Sequence, residues 1–170
     1  MLGAGTLISA GGQAQDARLQ ARLKQLFPAA TAFSPKGGDP PHYKAFSGPA
    51  NAQTLLGYAF WTTELVPLER GYDGPIVMLV GLDTKGVLSG VIVTDHHEPY
   101  GSFSVDRPEF GAQFKGKDIR DAFKVGGDID AVSRASISIT SATRAVKNSA
   151  RRIARQYLTA PGVAAPGSVK

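Results

Sequence analysis

The chain has 170 residues, 42% of them hydrophobic, enough for the core of one ordinary domain and too many for a disordered tail. Its 20 Gly and 11 Pro argue against an all-helical bundle, and the absence of Cys removes disulfides, thiolate zinc sites, cysteine-ligated iron–sulfur clusters and cysteine nucleophiles together. A net charge of +5 suits a solvated basic surface, a nucleic-acid or anionic-lipid surface, or an anionic cofactor, and does not choose among them.

Met1–Ala14 is mostly small and apolar, and Gly12-Gln13-Ala14 has the small-x-small form of a signal-peptide end, so this segment reads as the remnant of an export signal. No stretch approaches the roughly 20 apolar residues of a membrane-spanning helix. Gln15–Phe27 follows as an amphipathic helix, with Leu19, Leu23 and Leu26 on one face and Pro28 ending it. Thr31–Pro41 is a loop by its Pro and Gly content, and Thr54–Thr63 is a strand. Glu64–Pro75 is a connection. Ile76–Leu82 and Val87–Thr94, joined by Asp83-Thr84-Lys85-Gly86, form a β-hairpin apolar enough to be covered by helices. His96–Arg107 is a polar loop, Pro108–Phe114 a short helix closed by Gly116, and Ile119–Gly127 is ambiguous. Ser141–Leu158 is the second clear helix, with an apolar stripe of Val146, Ala150, Ile153 and Tyr157. The last twelve residues, 159–170, read as a flexible tail or linker. This order predicts a single α+β domain over residues 15–158, mainly antiparallel sheet with a central hairpin, packed by N- and C-terminal helices.

The chemistry concentrates before the last helix. Asp128–Ser141 holds five hydroxyl residues just before and at a helix start. Ser and Thr cap helices by accepting an orphan N–H, which accounts for one or two of the five. Free N–H groups and the helix dipole also favour a phosphate here, worth about 0.3–1 kcal/mol for a surface charge. Arg134 and Arg144 add positive field.

Asp130-Ala131-Val132-Ser133-Arg134-Ala135-Ser136 resembles the flavinylation motif of the FMN-binding domain family: Asp, two variable residues, Ser or Thr, Gly, Ala, then Thr or Ser. The family includes the RnfG and NqrC subunits of ion-pumping membrane oxidoreductases and the periplasmic part of NosR. Arg134 stands where the motif has Gly, and Ser136 where Thr is commoner. Three further segments resemble the family in the same order: Gly71-Tyr72-Asp73-Gly74-Pro75-Ile76 at the entry to the hairpin, His97-Glu98-Pro99-Tyr100-Gly101, and Gln113-Phe114-Lys115-Gly116-Lys117. Phe27–Thr31 and Gly38–Pro41 are similar to the NosR branch.

The resemblance implies one FMN joined through its phosphate to Ser136 by a flavin transferase that uses FAD and Mg²⁺ and releases AMP. It implies Asp130 as a recognition element for that transferase. Ser133, Arg134, Ala135, Ile137 and Ser138 would surround the phosphate, and Glu98, Tyr100 and Gly101 the flavin ring. It implies an extracytoplasmic, periplasmic electron carrier between redox protein or quinol partners of a membrane electron-transfer chain. A Rossmann glycine fingerprint for NAD is lacking. The competing reading is a non-redox module that binds a phosphate-bearing ligand at the same helix start. Other chemistries are weaker. Adjacent His96 and His97 on a strand would point to opposite faces and chelate a metal poorly. No Gly-x-Ser-x-Gly elbow is present for a hydrolase. The Arg and Lys residues of the last helix surround a core stripe, as on a solvated face rather than a nucleic-acid interface.

Overall fold

A computed structural model describes residues 10–158. The expected tail lies outside them, as do the first nine residues of the expected export remnant. Ten elements follow in order: α1 (Ala10–Leu26), β1 (Ala32–Phe33), β2 (Tyr43–Ser47), β3 (Thr54–Trp61), α2 (Thr62–Leu65), β4 (Val77–Asp83), β5 (Leu88–Asp95), a 3₁₀ turn (Gly101–Phe103), α3 (Pro108–Ala112) and α4 (Ser136–Tyr157). The five strands form one sheet in sequence order, and each neighbouring pair is antiparallel. This is the α+β arrangement expected from the sequence, with the hairpin at β4 and β5.

Strand alternation builds two cores. Tyr58, Phe60, Met78, Val80 and Leu82 point to one face and pack with Ile139, Val146, Ala150 and Ile153 of α4. Ala59 and Leu79 point to the other and pack with Leu23 and Leu26 of α1. Both faces of β4 are therefore buried, which is why it reads as a continuous apolar run instead of alternating. Gly81 and Gly90 are register partners facing α1. A Cβ on Gly90 would lie 3.1 Å from Leu26 Cδ2, so the bare backbone lets α1 settle close to the sheet. β5 is one of the two edge strands, and its outer side is closed by backbone bonds from Leu88 N–H to Lys117 O and from Gly116 N–H to Leu88 O, each 2.8 Å.

Three boundaries differ from the sequence reading. Helix α1 begins at Ala10, five residues before the expected Gln15 and within the segment read as an export remnant. The stretch around Thr31–Pro41 contains the two-residue β1, which with β2 extends the sheet beyond β3. Helix α4 begins at Ser136, five residues before the expected Ser141. Ser136–Thr140 has weak helix propensity, but Ile139 is fully buried and Ser138 is 4% exposed, so tertiary packing commits this turn to the helix.

Candidate functional site

The start of α4 is formed by an unusual backbone. Arg134 has φ +69°, in the left-handed region where the family motif has glycine. That reversal turns the chain into the helix. Ala135 is the N-cap, with no side-chain hydrogen bond to the helix, so none of the neighbouring hydroxyls serves as the cap. The bond from Ile139 N–H to Ala135 O, 3.0 Å, opens the helical ladder. The N–H groups of Ser136, Ile137 and Ser138 lie ahead of it and face the helix entrance. Ser136 is the first helical residue and is exposed, as are Ile137 and Thr140, whereas Ser138 and Ser141 are buried.

Glu98 joins this helix start to the connection before β4. It is only 7% exposed. Its carboxylate accepts the backbone N–H groups of Tyr72 (2.9 Å) and Asp73 (3.0 Å) and a short hydrogen bond from the Ser138 hydroxyl. Burial works against its charge, but the Ser138 hydroxyl and the Asp73 and Tyr72 amides outweigh it and hold the carboxyl below its ordinary range. A Cβ on Gly71 would lie 2.7 Å from Glu98 Cδ, so only glycine fits against this carboxylate. The loop is braced from behind. His96 Nδ1 accepts the Glu98 N–H at 3.0 Å, and His96 Nε2 lies 2.7 Å from Asp106 Oδ1. Tyr100 and Gly101 enter the 3₁₀ turn beyond Glu98; Gly101 is buried and Tyr100 is exposed, its ring 5.3 Å from that of Phe103.

Between the two walls lies a groove of about 290 Å³ lined by Arg70, Ser136, Ile137, Thr140, Ser141 and Arg144. Arg144 is engaged by Glu69 through two hydrogen bonds of 2.8 and 2.7 Å, which raise the guanidinium pKa further. The Ser141 hydroxyl donates to the same carboxylate at 3.1 Å. The expected contribution of Arg144 to the anion field is thus largely neutralised. Among the described residues, Arg70 and Arg134 have no carboxylate within ion-pair range. Of the large exposed apolar side chains among the described residues, Ile137 lines the groove, and Tyr72 belongs to the connection that Glu98 ties to the helix start.

The Gln113–Lys117 segment secures the motif from below. Gln113 Oε1 accepts the Asp130 N–H at 2.7 Å, Phe114 is fully buried, and Lys117 Nζ lies 3.2 Å from Asp128 Oδ2. Asp130 and Ser133 are placed differently from the buried Ser138: both are exposed, Ser133 at the turn that contains Arg134. The cationic face of α4 has a structural use that sequence reasoning missed. Arg151 donates to the carbonyls of Ile119 and Asp121, Lys147 to Ala122, and Arg152 to Leu65. His42 is buried with its ring against Tyr58 and Tyr157. Glu69, Arg70 and Thr140 were not singled out from the sequence. The first two stand immediately before Gly71-Tyr72-Asp73-Gly74, and that adjacency was the available signal.

Residues 71–151 match the family model of the FMN-binding domain. Over those residues the chain is similar to the FMN-binding domain, as its resemblance in sequence implied. It is similar to the G subunit of the ion-translocating oxidoreductase complex of Escherichia coli K12, with 36% identity over 87 residues, 45% of this chain and 42% of that protein. It is also similar to the corresponding protein of Photorhabdus laumondii, with 36% identity over 101 residues, 54% of this chain and 46% of that protein. The matched stretch spans less than half the length of either relative. Among the described residues no helix is long and apolar enough to cross a membrane.

Proposed function

We propose that the chain is an electron-transfer domain carrying one FMN esterified through its phosphate to Ser136. The observation that carries this reading is the place of Ser136: an exposed hydroxyl on the first residue of α4, ahead of the helical ladder, in a groove with Arg70, which has no carboxylate partner among the described residues. A phosphate there finds the N–H groups of Ser136, Ile137 and Ser138 and the Arg70 guanidinium, with Arg134 nearby in the chain. The exposed Ile137 of the groove suits contact with a planar ring, with Tyr100 and Gly101 of the Glu98 loop as its other neighbours. FMN, when bound, supplies the one- and two-electron chemistry, and the chain supplies position and electrostatics. Ser136 is the anchor and takes no part in redox.

Attachment would be carried out by a flavin transferase that docks on the exposed Asp130. The Ser136 Oγ–phosphorus bond forms, the pyrophosphate bond of FAD breaks, AMP leaves, and the hydroxyl proton passes to the transferase or solvent. Residues 15–158 make the working domain, with 1–14 as an export remnant and 159–170 as a linker. We place the domain on the extracytoplasmic, periplasmic face of a membrane, passing electrons between redox protein or quinol partners. There a covalent bond prevents loss of a cofactor that the cytoplasm alone could replace. The relatives are named as subunits of an ion-translocating oxidoreductase, and Phe27–Thr31 with Gly38–Pro41 favours the NosR branch of the family.

The test is the mass of protein coexpressed with its transferase. The wild type should gain about 438 Da, one FMN less water, and stay yellow after acid precipitation. Ser136→Ala should fold and lose that mass. A Ser136→Ala protein that still holds covalent flavin would refute the assignment, and a wild type that holds none would favour a non-redox phosphate-binding module.

A further inference from the structure

We propose that Glu98 is a positioning residue that sets the width and order of the anchor groove, and so controls delivery of the flavin phosphate to Ser136. This rests on the reading of Ser136 as the anchor. The groove has two walls that are remote in sequence: the connection containing Arg70, and the first turns of α4. Glu98 bridges them. One carboxylate receives two backbone N–H groups from Tyr72 and Asp73 on the first wall and the Ser138 hydroxyl on the second. Arg70 lies two residues from the first attachment point, and Ser136 two residues from the other.

The bridge is inelastic for three reasons. Glu98 is buried, so water does not readily replace a lost partner. Gly71 brings the backbone against the carboxylate, with no room for a Cβ. The Glu98 backbone is itself fixed by His96, which Asp106 holds in turn. With Nδ1 accepting the Glu98 N–H, the His96 proton lies on Nε2 and points to Asp106. Gly101 closes over that ring: a Cβ there would lie 2.8 Å from His96 Nε2. On the outer side, Glu69 makes a parallel bridge to Ser141 and Arg144. The two differ in what they meet. Glu69 neutralises a cation of the groove, whereas the Glu98 carboxylate receives only neutral donors from the walls it joins. The three donors occupy both carboxylate oxygens, so the isosteric amide does not substitute: its NH₂ would replace one acceptor and face an N–H or hydroxyl donor.

The experiment compares Glu98→Gln, Glu98→Asp and Ser138→Ala in the full chain, each coexpressed with the transferase. Covalent flavin is measured by mass, and amide hydrogen exchange on the flavin-free protein. Glu98→Gln should slow flavin attachment at least tenfold. It should also speed exchange at Tyr72 and Asp73 at least tenfold, with the Met78–Leu82 amides of β4 unchanged. Glu98→Asp keeps the charge and should recover part of both. Ser138→Ala, which removes one donor and leaves the charge, should slow attachment severalfold. Wild-type attachment or unaltered exchange in Glu98→Gln overturns the proposal. If Glu98→Gln does not fold, Ser138→Ala decides: attachment at the wild-type rate overturns it. If the wild type takes no flavin, the reading of Ser136 fails, while the exchange measurements still test the bridge itself.

Discussion

Arg134→Gly offers the sharpest check on the backbone of the motif. Arg134 adopts φ +69°, and a non-glycine residue in the left-handed region costs about 1–2 kcal/mol. Glycine removes that cost but adds freedom to the unfolded chain, worth about 0.4–1 kcal/mol in the opposite direction. The Arg134 side chain is exposed and has no ion-pair partner among the described residues, so truncation loses little else. The net expectation is a gain of about 0.5–1 kcal/mol, or roughly 1–4 °C in Tm for a domain of this size. Arg134→Ala is the control. It shortens the side chain but keeps the backbone strain, and should leave stability within about 0.5 kcal/mol of wild type. Urea denaturation of the three flavin-free proteins measures both. A loss of more than about 0.5 kcal/mol in Arg134→Gly, or equal gains in the glycine and alanine variants, would refute the reasoning from strain. Flavin attachment should persist in Arg134→Gly. If flavin attaches only after that substitution, the native motif is not a substrate.

Three further outcomes follow from the groove. Arg70→Ala should lower inorganic phosphate binding, read from amide shifts of Ser136–Ser138, by about tenfold, as a charge-assisted contact of about 1.5 kcal/mol requires; Arg144→Ala should weaken it less, because Glu69 already neutralises that guanidinium. Gly71→Ala should destabilise by about 1–3 kcal/mol, since its Cβ would collide with the Glu98 carboxylate; wild-type stability in chemical denaturation would contradict that packing. In acid, Glu98 and Asp128 titrate below their ordinary values and Asp118, beside Arg120, at about 2. A depressed folded-state pKa stabilises the fold above the unfolded value and loses that contribution as pH falls through the folded one. Stability should therefore hold near neutral pH and decline below about pH 4, and Glu98→Gln should flatten part of that decline in a urea titration series.

How much was written locally depends on the element. The β4–β5 hairpin was legible because two apolar runs and a turn sequence specify each other within twenty residues, and Leu23 and Leu26 marked the buried face of α1 at helical spacing. The motif around Ser136 was legible as chemistry because its hydroxyls and its departure at Arg134 are matters of residue type and order. The sequence could not fix that Arg134 takes a positive φ, nor that α4 begins at Ser136. Ser-Ile-Ser-Ile-Thr has no strong helical preference, and the decision is made by Ile139 entering the core and Ser138 meeting Glu98, forty residues away. The same holds for charge. Arg144 was read, with Arg134, as adding to the anion field and Arg70 attracted no notice, until folding brought Glu69 onto Arg144 and left Arg70 in the groove with no carboxylate partner among the described residues. Sequence alone determines which groups exist and which short segments they favour. Which groups neutralise one another is a property of distance through space, so only the tertiary structure decided which cation stayed free and which carboxylate became the bridge.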